Sequence, residues 1–134
     1  MKSYLQKHDK IKYSDHWSTP KEIYDYYIIK KNYYDPCPLY GKDFDLNILN
    51  KNMFINPPYS NISEWIDFSI ESANEYKKHI VLLIPCRTDT RYFHKLLNNN
   101  VTLEFIKGRL KFGNHKKSAP FPSVLVHLNY HNKE

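Results

Sequence analysis

Glycine is nearly missing from this chain: Gly41, Gly108 and Gly113 are the only three among 134 residues, which leaves little for any glycine-rich loop. Cysteine occurs twice, as Cys37 and Cys86, which excludes a disulfide scaffold; both thiols are expected to be reduced. The seven histidines show no metal-ligand spacing, so no zinc site is expected. No apolar run approaches the roughly 18 residues of a membrane-spanning helix, and no signal-peptide pattern opens the chain. A cytoplasmic protein without membrane contact is the expectation. Acidic residues are outnumbered, 14 against 20 Lys and Arg, giving a formal charge of +6 and a pI near 9.2. That surplus suits a polyanionic partner and a merely solvated basic surface about equally.

What the chain has is aromatic side chains, with twelve tyrosines and seven phenylalanines, and an apolar fraction of 41%. Such a composition folds, and at this length it predicts one domain over residues 1–134, with a polar arm at 1–14 and no separate target-recognition domain. Thr19-Pro20-Lys21-Glu22 reads as a capping box opening a helix over about 20 to 30. Tyr33-Tyr34 reads as a short strand before Asp35-Pro36. Ile62, Trp65, Ile66, Ile70 and Ala73 share one helical face, with Trp65 a packing residue. Ile80 to Ile84 is apolar without alternation, as in a strand buried on both faces. Thr88 or Asp89 is expected to cap a helix carrying Phe93, Leu96 and Leu97. Strands follow at 101–106 and 124–128, with a basic loop or hairpin between them. The order is that of an α/β sheet with helices on its faces, whose ligands bind beyond the carboxyl ends of the strands.

At one such end stands Asn56-Pro57-Pro58-Tyr59. Two prolines cannot extend a sheet ladder and impose a stiff, extended exit. Asn56 can offer its side-chain carbonyl and Pro57 its backbone carbonyl, while Tyr59 can lie against a planar ring. Two convergent acceptors suit a flat group bearing an NH₂. Accepting both hydrogens from one side favours a pyramidal nitrogen, whose lone pair then points toward an electrophilic methyl placed opposite.

This corner resembles the catalytic loop of amino-group methyltransferases that use S-adenosylmethionine. With DHWSTPKEIYDYY, DPC, LLIPCRTDTRYFH and FIKGRLKFGNHKKSAPFPSVLV, the chain is similar to phage-type DNA N-6-adenine methyltransferases, a Dam-like family, over residues 15 to 126. The resemblance implies a trimmed Rossmann-like methyltransferase sheet, phage or prophage origin, a role in DNA modification and protection from restriction, and S-adenosylmethionine as cofactor. It implies that Asn56, Pro57, Pro58 and Tyr59 hold and orient an extruded adenine. It assigns Trp17, Thr19, Pro20, Asp35, Pro36, Cys37 and Asp45, or Asp43 in its place, to the cofactor. Arg87, Arg91, Arg109, Lys111, Lys116 and Lys117 would contact DNA, and Phe112 would form a second wall of the base pocket. The usual glycine-rich cofactor loop is reduced here to Asp35-Pro36-Cys37-Pro38-Leu39-Tyr40-Gly41.

Two other readings stay open: a DNA-binding module that has lost its cofactor, and the same chemistry on cytosine or a glutamine side chain. Oligomeric state, monomer or homodimer, is also open. Cys37 lacks a paired base and is expected to be a packed thiol rather than a nucleophile.

Overall fold

Met53–Ile55 (β1) and Ile80–Pro85 (β2) are apolar along nearly their whole length and buried at every position, so they can only be interior strands of a sheet covered on both faces. They pair in parallel, Phe54 opposite Val81. Parallel neighbours need a crossover, and helix α2, Ile62–Tyr76, supplies it. Lys77 ends that helix in the left-handed region, at φ 57° and ψ 34°, and its N–H closes on the Ala73 carbonyl. Tyr34 adds a single parallel bridge to Met53, where a short strand was expected. The described residues are 17–37, 50–113 and 117–129 of a computed structural model.

The sheet is mixed rather than wholly parallel. Its order is β1-β2-β4-β3, with β3 at Val101–Phe105 and β4 at Ser123–Leu128. β4 runs antiparallel to both neighbours. A returning loop joins β3 to β4, folded back through Ala119 N–H to the Leu110 carbonyl at 2.8 Å, and a return without a helix reverses the strand direction. The full sheet of a Rossmann domain is not what the described residues contain.

One face of the sheet buries Ile55, Leu82, Ile84 and Val126 against Trp65, Ile66 and Phe68 of α2 and against Phe93 and Leu96 of helix α3, Arg91–Leu97. Lys95 of α3 pairs with Asp67 of α2. The other face buries Phe54, Val81, Leu83 and Leu125 against Tyr27, Phe112, Ala119 and Phe121. Tyr27 belongs to a six-residue π-helix, Asp25–Lys30, which continues helix α1, Lys21–Tyr24. The widened turn places the Tyr27 ring flat on Phe54, with centroids 5.1 Å apart and planes 16° apart.

Two helix starts differ from expectation. Pro20, not Thr19, holds the cap position of α1, and no side chain caps it. The Thr19 hydroxyl is engaged elsewhere. Helix α3 is capped by Thr90, one or two residues beyond the expected cap, its Oγ1 accepting from Phe93 N–H at 3.4 Å. No helix among the described residues is long and apolar enough to cross a membrane.

At the amino ends of β1 and β2 a chain of polar side chains crosses the sheet. Tyr33 Oη lies 2.5 Å from His79 Nδ1, His79 Nε2 lies 2.9 Å from His127 Nδ1, and His127 Nε2 lies 3.1 Å from Glu104 Oε1. The donor and acceptor roles along this chain follow the imidazole tautomers: in the arrangement where His127 donates from Nε2 to the carboxylate oxygen, its Nδ1 takes the His79 Nε2 hydrogen. His79 Nδ1 then accepts the tyrosine hydroxyl. The two rings stack at 5.1 Å and 17° beside a cleft of about 940 Å³. His127 is buried and Glu104 is exposed, so His127→Ala takes this hydrogen bond from the half-buried His79 ring while the Glu104 carboxylate turns to solvent. It is expected to lower unfolding stability by about 1–3 kcal/mol in urea titrations, whereas a change within a few tenths of a kcal/mol would mean that solvent satisfies His79 as well.

Candidate active site

β1 delivers the chain to Asn56 at the carboxyl end of the parallel strands. Asn56 is 4% exposed, and Pro57 and Pro58 are buried with it. Pro58, at φ −66° and ψ 145°, is extended, after which Tyr59–Asn61 forms a single 3-10 turn leading into α2. The Pro58 carbonyl accepts from Asn61 N–H at 3.1 Å, and Asn61 occupies the cap position of α2. Prolines on one side and a helix on the other make this corner stiff, which suits a side chain that must hold one direction.

A buried asparagine amide must satisfy two donors and an acceptor. Here Asn56 Nδ2 donates to the Trp17 backbone carbonyl and to Thr19 Oγ1, the latter at 3.0 Å. The strap Trp17-Ser18-Thr19 therefore crosses directly over the corner. On its far side Gly113 N–H donates to the Ser18 carbonyl at 3.1 Å, and a Cβ at Gly113 would meet Ser18 Oγ at 2.7 Å. The approach is that close because residue 113 has no side chain.

Around this crossing the aromatic rings assemble. Trp17 stacks on Tyr59 with centroids 6.0 Å apart and planes 26° apart. It meets Phe112 edge-on at 5.3 Å and Phe121 at 5.7 Å. Phe121 in turn sits edge-on to Tyr59 at 5.4 Å, and the Arg87 guanidinium lies over the Phe121 ring at 5.6 Å. Trp17 and Tyr59 are both half-buried, whereas Phe112 is 2% exposed. Phe112 is thus a floor beneath Trp17 rather than a wall open to a base. Phe121 was not singled out in the sequence, where it looks like any apolar residue before a strand.

The basic residues gather at the same end of the sheet. Arg87 leaves the carboxyl end of β2 in a loop tied by Thr90 Oγ1 to the Arg87 carbonyl at 2.7 Å and by the Tyr92 hydroxyl to the Pro85 carbonyl at 3.1 Å. Arg91 begins α3, and Arg109 and Lys111 lie on the loop after β3, which turns at Gly108 with φ 78°. Lys117 lies on the returning limb. All five are exposed; Lys116 lies outside the described residues.

Asp35, Pro36 and Cys37 follow the Tyr34 bridge and so leave the sheet at the Asn56 end. Asp35 Oδ1 accepts from Cys37 N–H at 2.9 Å, a tight turn that fixes the carboxylate. Cys37 is buried, and that burial, with Asp35 adding a smaller effect, pushes its thiol well above the ordinary range. It stays protonated near neutral pH and is no nucleophile. Asp43 and Asp45 lie outside the described residues. The donor set that is described fits S-adenosylmethionine in one respect: a half-buried carboxylate stands at the same sheet end as the acceptor corner, suited to an ammonium or a ribose hydroxyl.

Fold and site together define a mixed α/β domain with an acceptor corner, backed by aromatic rings and flanked by arginines, at the carboxyl end of its parallel strands. The family model described as DNA N-6-adenine-methyltransferase (Dam) matches residues 41–125, more than half of the chain, and the chain belongs to that family. No curated protein and no solved structure matches it.

Proposed function

We propose that this chain transfers a methyl group from S-adenosylmethionine to the exocyclic N6 amine of adenine in DNA. Membership of the Dam family supports the reaction class, and methyltransferases of that family generally use this cofactor. The observation that carries the reading in this molecule is the direction of the Asn56 amide. With Nδ2 turned to Trp17 and Thr19, the acceptor Oδ1 is turned the other way, as an NH₂ acceptor requires.

In this reading Asn56 Oδ1 and the Pro57 carbonyl each accept one hydrogen of the adenine amine, and Pro58 keeps the two acceptors in register. The amine lone pair, delocalised in the free base, is localised away from the acceptors. The cofactor supplies an electrophilic methyl when bound, with Asp35, Pro36, Cys37 and Asp45, or Asp43 in its place, as its holders. As the new N–C bond formed, the cofactor's S–CH₃ bond would break with its electron pair left on sulfur as a neutral thioether; the nitrogen would gain positive charge, become acidic and shed its proton to water. Asn56 stabilises that developing charge by its dipole and needs no basicity. Tyr59 backs the extruded base, and Trp17, half-buried beside it, is better suited than Phe112 to form a second aromatic surface. Arg87, Arg91, Arg109, Lys111, Lys116 and Lys117 hold the phosphates. Phage or prophage origin and a role in modification against restriction accompany this reading through the resemblance of the sequence.

Incubation with methyl-labelled S-adenosylmethionine and unmethylated duplex DNA tests it. Label is expected in the DNA; label found only in added protein, or none, contradicts it. Replacing Arg109 and Lys111 together by alanine is expected to weaken DNA binding at every sequence and to reduce the slope of log K against log salt by about 2. An unchanged slope would remove both side chains from the DNA interface.

A further inference from the structure

We propose that Thr19, acting with the Trp17 backbone carbonyl, is a positioning residue that fixes which way the Asn56 amide faces; this rests on the amine-methylating reading of the corner. An asparagine amide is nearly symmetric in shape, and its two orientations differ only in which end donates. A backbone carbonyl can only accept, so the end of Asn56 facing the Trp17 carbonyl has to be the NH₂. Thr19 Oγ1, at 3.0 Å, takes the second hydrogen. With both hydrogens held on the strap side, the planar amide turns Oδ1 away from the strap. The reverse orientation would set Oδ1 against the Trp17 carbonyl, acceptor facing acceptor, and would present an NH₂ to a substrate NH₂.

The Thr19 hydroxyl is available for this task because it does not cap α1, whose cap position belongs to Pro20 without any side-chain bond. The strap itself is held in place by the Gly113 N–H on Ser18 and by the Trp17 ring against Phe112 and Phe121. The strap 17–19, with Phe112, Gly113 and Phe121 remote from it in sequence, therefore sets the orientation of one amide at position 56. Thr19, which the resemblance of the sequence assigns to the cofactor, in this proposal acts through Asn56 instead and touches neither substrate nor cofactor.

Thr19→Val keeps the shape and removes the hydroxyl, and Thr19→Ser keeps the hydroxyl. In the full chain, Thr19→Val is expected to lower kcat by roughly 3–10-fold, with KM for DNA and for S-adenosylmethionine unchanged, while Thr19→Ser stays near wild type. A rise in KM for S-adenosylmethionine at constant kcat would make Thr19 a cofactor contact and overturn the proposal, as would an unchanged kcat. A second readout needs no activity. In ¹⁵N–¹H spectra of the protein alone, the two Asn56 side-chain hydrogens are expected as separate, slowly exchanging signals in wild type and Thr19→Ser, and as faster-exchanging ones in Thr19→Val. Identical signals in all three would overturn the proposal. Absence of methyl transfer by the wild type would defeat the functional reading alone, because the spectra still report the amide.

Discussion

Asn56→Ala is expected to lower kcat for methyl transfer by on the order of 10²–10³-fold while leaving the fold intact. In the proposed reaction the side chain supplies one of two acceptors that localise the amine lone pair and face charge developing only in the transition state, so its loss falls on kcat rather than on substrate KM. The magnitude is that of removing one preorganised dipole from a water-poor site, and Asn56 is 4% exposed. The structural cost is smaller: the Trp17 carbonyl and the Thr19 hydroxyl each lose one donor, worth about 1–3 kcal/mol apiece at most. Steady-state kinetics with a thermal melt on the same sample separate the two effects. Equal activity in mutant and wild type would take Asn56 out of the chemistry.

Trp65→Ala carries the largest expected loss of stability, about 3–5 kcal/mol, or about 10–20 °C in Tm. Trp65 is 1% exposed, at the centre of the face α2 turns toward the sheet, and meets Phe68 edge-on at 5.5 Å. Its removal leaves an indole-sized cavity between the crossover helix and the strands that carry Asn56 and Arg87. A domain of this size is stabilised by about 5–15 kcal/mol in all, so the variant should lie close to its folding limit. Calorimetry or urea unfolding reads the effect, and a loss under about 1 kcal/mol would show that α2 is not the principal cover of that face.

These two residues mark what was legible in the sequence. Trp65 lies on a helical stripe whose period is local, so spacing alone assigns it to packing. Asn56 lies in a four-residue motif bracketed by an apolar run and an amphipathic helix, so its chemical meaning and its place at a strand end can be read together. The unbroken apolar run of β2 likewise announced a strand covered on both faces. What stayed hidden depends on sequence separation. Thr19 fits a capping box, and nothing nearby signals that its hydroxyl is used by a side chain 37 residues away. The Tyr33–His79–His127–Glu104 chain exists only because sheet register places Thr102 opposite His127 and Glu104 opposite Leu125. The insertion of β4 between β2 and β3 is equally a property of pairing, which alternation in a single strand does not encode. Phe112 and Phe121 illustrate the same limit: Phe112 was expected as a second wall of the base pocket and Phe121 was not singled out, yet Phe112 packs as a buried floor and Phe121 joins the rings around Trp17.

The strap over Asn56 also changes how the N-terminal part of the site is understood. Trp17, assigned to the cofactor by the resemblance of the sequence, places its ring against Tyr59 and its carbonyl on Asn56. The same strap receives the Gly113 N–H from the loop that carries Arg109 and Lys111. Elements proposed to hold DNA and the element proposed to orient the amine are thus in direct contact.

The central claim is that the corner accepts the two hydrogens of an adenine amine, and the most direct measurement is the identity of the methylated nucleoside. Unmethylated duplex DNA treated with the protein and S-adenosylmethionine is digested to nucleosides and separated by chromatography with mass detection. N6-methyldeoxyadenosine is the predicted product. Methyl on cytosine, or methyl-free DNA under conditions in which the protein binds both DNA and S-adenosylmethionine, would contradict the account.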